Sequence, residues 1–130
     1  MPFDALRHNF LIAYQRGAKD VPRKRAHEFL ASQPKDAAFY ISRIAWMEFV
    51  AGFETSAGAL PYLRKFTIIE VDSLIWWDAS RVVRALGLRG KKIGAADSII
   101  AATALAYGLP LVSNNAKHFG EIPRLHLRNY

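Results

Sequence analysis

A mostly parallel β-sheet covered by helices on both faces is the architecture this sequence predicts, and three observations carry it. Short β-branched or apolar runs of strand length alternate with longer runs of helical spacing. The helical runs are bounded by cap residues in front and by glycine or proline behind. Of the 130 residues, 52% are hydrophobic and 22% charged, enough apolar surface to offset the entropy of ordering the chain and to cover a sheet on two sides.

In chain order, Asn9 to Arg16 reads as a short helix closed by Gly17. Asp20 caps a second helix, in which Val21, Ala26, Phe29 and Leu30 recur at helical spacing until Pro34 ends it. Ala37 to Ile41 is an apolar run of strand length. Ser42 then caps a helix through about Gly52, and Thr55 to Lys65, which contains Gly58 and Pro61, is a further helical or irregular piece. Thr67 to Val71 is β-branched and bounded by charge, so it reads as a strand. Asp72 or Ser73 caps a helix to Leu86 that ends on Gly87, with Leu74, Trp77, Val82 and Leu86 broadly on one side. Gly94 to Tyr107 is a helix closed by Gly108, and Leu109 to Val112 is a strand. Asn114-Asn115 then turns the chain, and Leu125 to Leu127 forms a last strand. In open sheets of this kind, ligands bind at the carboxyl ends of the strands.

The length suits a single domain over residues 1–130. The absence of cysteine excludes a disulfide scaffold, a thiolate zinc site and a cysteine nucleophile, and cytoplasm is the expected compartment. No membrane span is expected, because the longest apolar stretch, Ile99 to Val112, is interrupted and falls short of roughly 20 residues. Phe10 to Tyr14 is too short for the apolar region of a secretory signal. Eighteen Lys and Arg against eleven Asp and Glu leave a net charge of +7, and such a field attracts polyanions, nucleic acid foremost. Any single basic cluster is more simply a solvated face.

Polar residues in apolar surroundings mark the chemistry. Glu48 has Ile44, Ala45, Ala51 and Gly52 as its helical neighbours, and Asp97 has Ile93, Gly94, Ile100 and Ala101. A carboxylate on such a face is costly unless neutralised, paired or bound to a metal. The competing readings are a glutamate that reaches solvent or pairs with Arg43, and an aspartate that complements the dipole of its helix. Two carboxylates about 5 Å apart repel by roughly 3 kcal/mol at an effective dielectric near 20, so a site that gathers both calls for a divalent cation. Oxygen donors without Cys or ordered His spacing suit Mg²⁺ or Mn²⁺ rather than Zn²⁺. Asn115, at the turn after the strand, is placed to add a neutral oxygen, with Ser113 beside it.

The segment Ile93 to Phe119, IGAADSIIAATALAYGLPLVSNNAKHF, resembles the carboxyl-terminal signature of PIN-domain proteins, especially the VapC-like toxins of toxin–antitoxin pairs. Ile41 to Glu48 followed by Gly52 is similar to the family segment that carries its second acidic residue. Asn9 to Tyr14 is similar to its opening. The resemblance implies a three-layer α/β/α sandwich with a central mostly parallel sheet and an Mg²⁺- or Mn²⁺-dependent endoribonuclease, the toxin of a type II pair. It makes Glu48 and Asp97 metal-site carboxylates. Asn115 falls where many members have Asp, and Ser113 where they have Thr or Ser.

One departure stands out. The family opens with an aspartate two residues before the asparagine matched by Asn9, and here that position is Arg7. Taken straight, a cation replaces the first ligand, and the domain binds RNA or protein without cutting. With Ala5-Leu6-Arg7 treated as an insertion, Asp4 becomes the ligand. In the expected reaction, a cation held by Glu48 and Asp97 polarises the scissile phosphate and activates a water, while Arg81, Arg84, Lys91 and Lys92 hold the RNA backbone by charge. Trp76, Trp77, Phe49 and Phe53 are candidates for base stacking or for core and dimer packing.

The resemblance also implies a cognate antitoxin whose tail enters the acidic cleft, and a homodimer. The helix Ala45 to Phe53 and the segment Gly58 to Leu63 carry more large apolar residues than one face easily buries. An antitoxin arm would present Arg or Lys to Glu48 and Asp97.

Overall fold

A computed structural model describes residues 7–10, 28–29, 31–35, 38–113 and 116–129. Five strands form one sheet in the order β3-β2-β1-β4-β5: β1 (Arg7–Phe10), β2 (Ala38–Ser42), β3 (Phe66–Ile69), β4 (Leu111–Val112) and β5 (Leu127–Arg128). Every pairing is parallel. The helices are α1 (Arg43–Ala51), α2 (Ser56–Leu63), α3 (Ser73–Leu88), α4 (Ala95–Ala106) and the short α5 (Ala116–Phe119). From β1 the chain steps out through β2 to β3 and then returns to the other side of β1 for β4 and β5, with helices packed against the sheet. The result is an α/β/α sandwich.

Local chemistry sets the boundaries. Ser42 caps α1, its Oγ accepting from the Ile44 N–H at 3.4 Å, and Asp72 caps α3 by accepting from the Ile75 N–H at 2.9 Å. The open stretch after Thr55 is helical, with the Thr55 hydroxyl accepting from the Gly58 N–H. Gly108, at φ 61°, supplies the left-handed residue that ends α4.

Four sequence expectations are corrected. Asn9 and Phe10 belong to β1 and not to a helix, because pairing with β2 and β4 overrides a local pattern that does not separate short strands from helices. Gly87 lies inside α3; the helix runs to Leu88, and Gly90 at φ 73° makes the turn. Leu74 and Trp77 face solvent at 65% and 62% exposure, and the buried face of α3 is Ile75, Ala79 and Leu86, at helical spacing one step round. β3 stops at Ile69, and β5 starts at Leu127. The second helix expected near the start appears at Glu28, Phe29, Ala31 and Ser32, and residues 11–27 lie outside the described residues, as does the Asn114-Asn115 turn.

The core sits where α4 meets the sheet. Leu111 and Val112 of β4 and Ala101, Ala102 and Ala104 of α4 are fully buried. Each large member contributes about 1.5–3 kcal/mol by leaving water. The buried hydroxyls of α4 are satisfied by their own helix: Ser98 donates to the Ala95 carbonyl and Thr103 to that of Ile99, both at 2.7 Å. Ile75 and Ala79 of α3 cluster with Ile99 and Ala102 of α4, so these two helices pack along their length. Segment 89–94 carries the chain between them. Among the described residues, no helix is long and apolar enough to cross a membrane.

Candidate active site

The strand order reverses direction between β1 and β4: from β1 the chain steps outward to β2 and β3, then returns to the other side of β1. In open sheets of this kind, ligands bind at such a reversal, outside the carboxyl ends of the strands. Phe10 pairs in register with Val112 at this edge. Ser113 follows, 7% exposed, with its N–H donating to the Arg128 carbonyl at 2.9 Å. Ser42 ends β2 on the same edge and is fully buried. Two strands therefore finish on small buried hydroxyl residues.

Glu48 and Asp97 come from helices that begin beside this edge. α1 packs against α4, and Ile44, one turn before Glu48, touches the cluster of Ile99 and Ala102. Both carboxylate residues are half-buried. Glu48 lies between buried Ala45 and exposed Ala51 and Gly52. Asp97 stands in the first turn of α4, whose Gly94 cap contributes no side-chain hydrogen bond, so the helix dipole favours its charge. The structure thus places the two predicted carboxylates on packed neighbouring helices. The Arg43 guanidinium is engaged elsewhere: its Nε donates to Glu70 Oε1 at 2.9 Å and its Nη2 to Oε2. That bond holds the Glu70 carboxyl below the usual range.

The donor set has a definite chemistry. Among the described residues, no group of three or more His, Cys, Asp or Glu stands close enough to hold a metal, so a closed all-protein cage is not what they build. Carboxylate oxygens such as those of Glu48 and Asp97 are the donor type taken by a hard cation that keeps several waters and fills its remaining positions from a phosphate, the habit of Mg²⁺.

Other predicted site residues are dispersed. Asp4 and Asn115 lie outside the described residues. Arg7 is the first residue of β1, opposite Ala38, so its backbone stands roughly 10 Å along the strand from the carboxyl edge. Arg84, Lys91 and Lys92 are exposed, the two lysines on the segment that leads into Gly94 and α4. Arg81 is not brought to this edge: it lines a cavity beside Leu109 and Pro110, at the amino end of β4. Of the aromatics, Phe49 is buried and packs against Phe53 at 5.1 Å between ring centres, and Phe53 meets Tyr62 at 5.7 Å. Phe49 belongs to the core and half-buried Phe53 packs against it, whereas Tyr62, Trp76 and Trp77 are exposed.

Comparison with known proteins identifies the family of the fold. The family profile described as PIN domain matches residues 8–125. The chain belongs to the PIN domain family, whose VapC-like members are nucleases that generally use divalent metal ions. It resembles a chain of VapBC2 from Rickettsia felis bound to a DNA fragment from its promoter, at 25% identity and TM-score 0.72, covering 95% of this chain and 98% of that one. A toxin–antitoxin complex from Klebsiella pneumoniae contains a chain 27% identical with TM-score 0.69, covering 89% and 92%. The fold of a chain in DNA-bound VapBC from Salmonella typhimurium is also similar, with TM-score 0.73 at 20% identity and coverage of 94% and 98%. No curated protein sequence matches significantly.

Proposed function

We propose that this chain is a metal-dependent endoribonuclease, the toxin of a type II toxin–antitoxin pair. The observation that carries the reading is the placement of half-buried Glu48 and Asp97 on packed helices beside the switch-point edge of the sheet. Glu48 and Asp97 would hold Mg²⁺ or Mn²⁺, which supplies Lewis-acid polarisation of a phosphate and lowers the pKa of a bound water. The carboxylates of Glu48 and Asp97 would supply the anionic oxygens that hold such an ion and could accept a hydrogen bond from a water beside it. Ser113 adds a hydroxyl at the end of β4, and Asn115 a neutral oxygen just beyond it. Lys91, Lys92 and Arg84 draw the RNA backbone by charge, within the field of a chain of net charge +7.

The alternative, a PIN-like domain that binds without cutting, depends on Arg7 in the place of a ligand. With Ala5-Leu6-Arg7 treated as an insertion, Asp4 is the candidate for a further ligand and the cutting reading stands. The resemblance to toxin–antitoxin complexes supports a cognate antitoxin whose basic side chains occupy the acidic cleft. Exposed Met47, Leu60 and Tyr62 on α1 and α2 support a homodimer. Sedimentation at tens of micromolar should return a dimer, and a monomer would remove that part.

The test of activity is cleavage of a mixed RNA pool with and without Mn²⁺. Wild type should cut only with metal, and Glu48→Gln and Asp97→Asn should each lose about a hundredfold or more. Cleavage by both variants at the wild-type rate would refute the assignment.

A further inference from the structure

The amino-terminal edge of the sheet carries a second concavity that the nuclease reading leaves unused. It is an open cavity of about 630 Å³ bordered by α3, α4, residues 108–110 and residues 122–126. Its floor is aliphatic: Leu86, Ala104, Leu109 and Ile122 are all buried and all line it. Its rim is cationic. Arg81 comes from α3, and Arg124 and His126 from the segment approaching β5; all three are exposed, and half-buried Asp78 is the acidic group among them.

Arg124 has φ 66°, in the left-handed region that a non-glycine residue seldom occupies. The backbone on either side is tied down. Leu125 N–H donates to the Ile122 carbonyl at 3.4 Å, and Leu111 N–H donates to the His126 carbonyl at 2.8 Å, which fixes the segment to β4. An unusual conformation held between two anchors fixes the point at which the Arg124 side chain leaves the backbone, and such residues cluster at ligand clamps.

We propose that this cavity binds a small amphiphilic anion, with an aliphatic body on the Leu86, Ala104, Leu109 and Ile122 floor and a carboxylate or phosphate headgroup at Arg81 and Arg124. The volume lies within the range of small-ligand sites, and an apolar wall with a few convergent polar groups is their usual composition. Guanidinium groups suit either headgroup through charge-assisted, forked hydrogen bonds. An RNA backbone, polar along its length, would leave the aliphatic floor without a partner. The inference does not depend on the metal site at the opposite edge.

The full chain is titrated, with heat and amide chemical shifts as readouts, against octanoate, octyl phosphate, octyltrimethylammonium and a short single-stranded RNA. Octanoate or octyl phosphate should bind at one site and shift amides around Leu109 and Ile122; the tighter of the two identifies the headgroup. Arg81→Gln combined with Arg124→Gln should weaken binding by about tenfold or more. Ala85 is exposed on α3 and lines the cavity, so Ala85→Phe should fill the space and abolish binding with the melting temperature preserved. If the double variant does not fold, Arg81→Gln alone, read beside Ala85→Phe, replaces it. The proposal is overturned if neither anion binds at about 10 mM, if the ammonium compound binds equally well, or if the RNA shifts the cavity amides and the amphiphiles do not. Undiminished binding in the arginine or Ala85→Phe variants would overturn it as well.

Discussion

The two ends of the sheet are built from the same strands and have opposite chemistry. At the carboxyl ends, β2 and β4 finish on buried Ser42 and Ser113, and the helices that start there bring Glu48 and Asp97, both acidic and half-buried. At the amino end of β4, Leu109 and Leu86 floor a cavity whose rim carries Arg81 and Arg124. The difference follows from chain direction. Helix starts gather at the carboxyl edge of a parallel sheet, with N–H groups unpartnered within the helix and dipoles that favour anions. Helix ends gather at the opposite edge, where that dipole favours cations. The chain is strongly basic, with a net charge of +7, and Glu48 and Asp97 stand on helices that start at the first edge.

That contrast can be broken in order of expected effect. Both sites hang on β4, and Leu111 is fully buried between them. Leu111→Ala should therefore cost about 2–5 kcal/mol through lost burial and the cavity left behind. Urea denaturation reads it, and a loss under about 1 kcal/mol would show that β4 is not the shared support.

Asp72 sharpens the comparison at the carboxyl edge, because it caps α3 just beyond β3 and stands outside the proposed metal site. Asp72→Ala should cost about 1 kcal/mol and leave Mn²⁺ affinity as in wild type. An affinity that falls with the cap would extend the acidic site to α3.

The smallest effect concerns the exposed pair of Arg43 and Glu70. The hydrogen bond and charge of Arg43 lower the folded pKa of Glu70, so the pair's contribution is present above the ordinary carboxylate value and fades as pH falls through the lowered one. Comparison of Glu70→Gln with wild type across pH 3 to 6 should show a small difference that disappears on the acid side. A difference that grows toward acid would have the wrong sign for this pairing.

Much of the frame was legible in local chemistry. Ser42, Asp72 and Gly108 announce helix limits through groups within a few residues of themselves, and they act as expected. Asn9 and Phe10 did not, since strand β1 exists only through partners far along the chain. Leu74 and Trp77 misled for another reason: a helix with large apolar residues on several sides does not declare which side is buried, and packing chose Ile75 and Ala79. Glu48 and Asp97 stand out in the sequence as charges in apolar contexts. The cavity could not, because α3, α4 and residues 122–126 meet only in the folded chain.

The central claim is that Glu48 and Asp97 together hold a divalent cation, and melting with increasing Mn²⁺ tests it most directly, since an ion that binds only the folded state raises its stability. At a hundredfold excess over the dissociation constant, wild type should gain about 2.7 kcal/mol. Glu48→Gln and Asp97→Asn should melt normally without metal and lose that gain. Wild-type-sized Mn²⁺ shifts in both variants, or failure of both to fold without metal, would contradict the account.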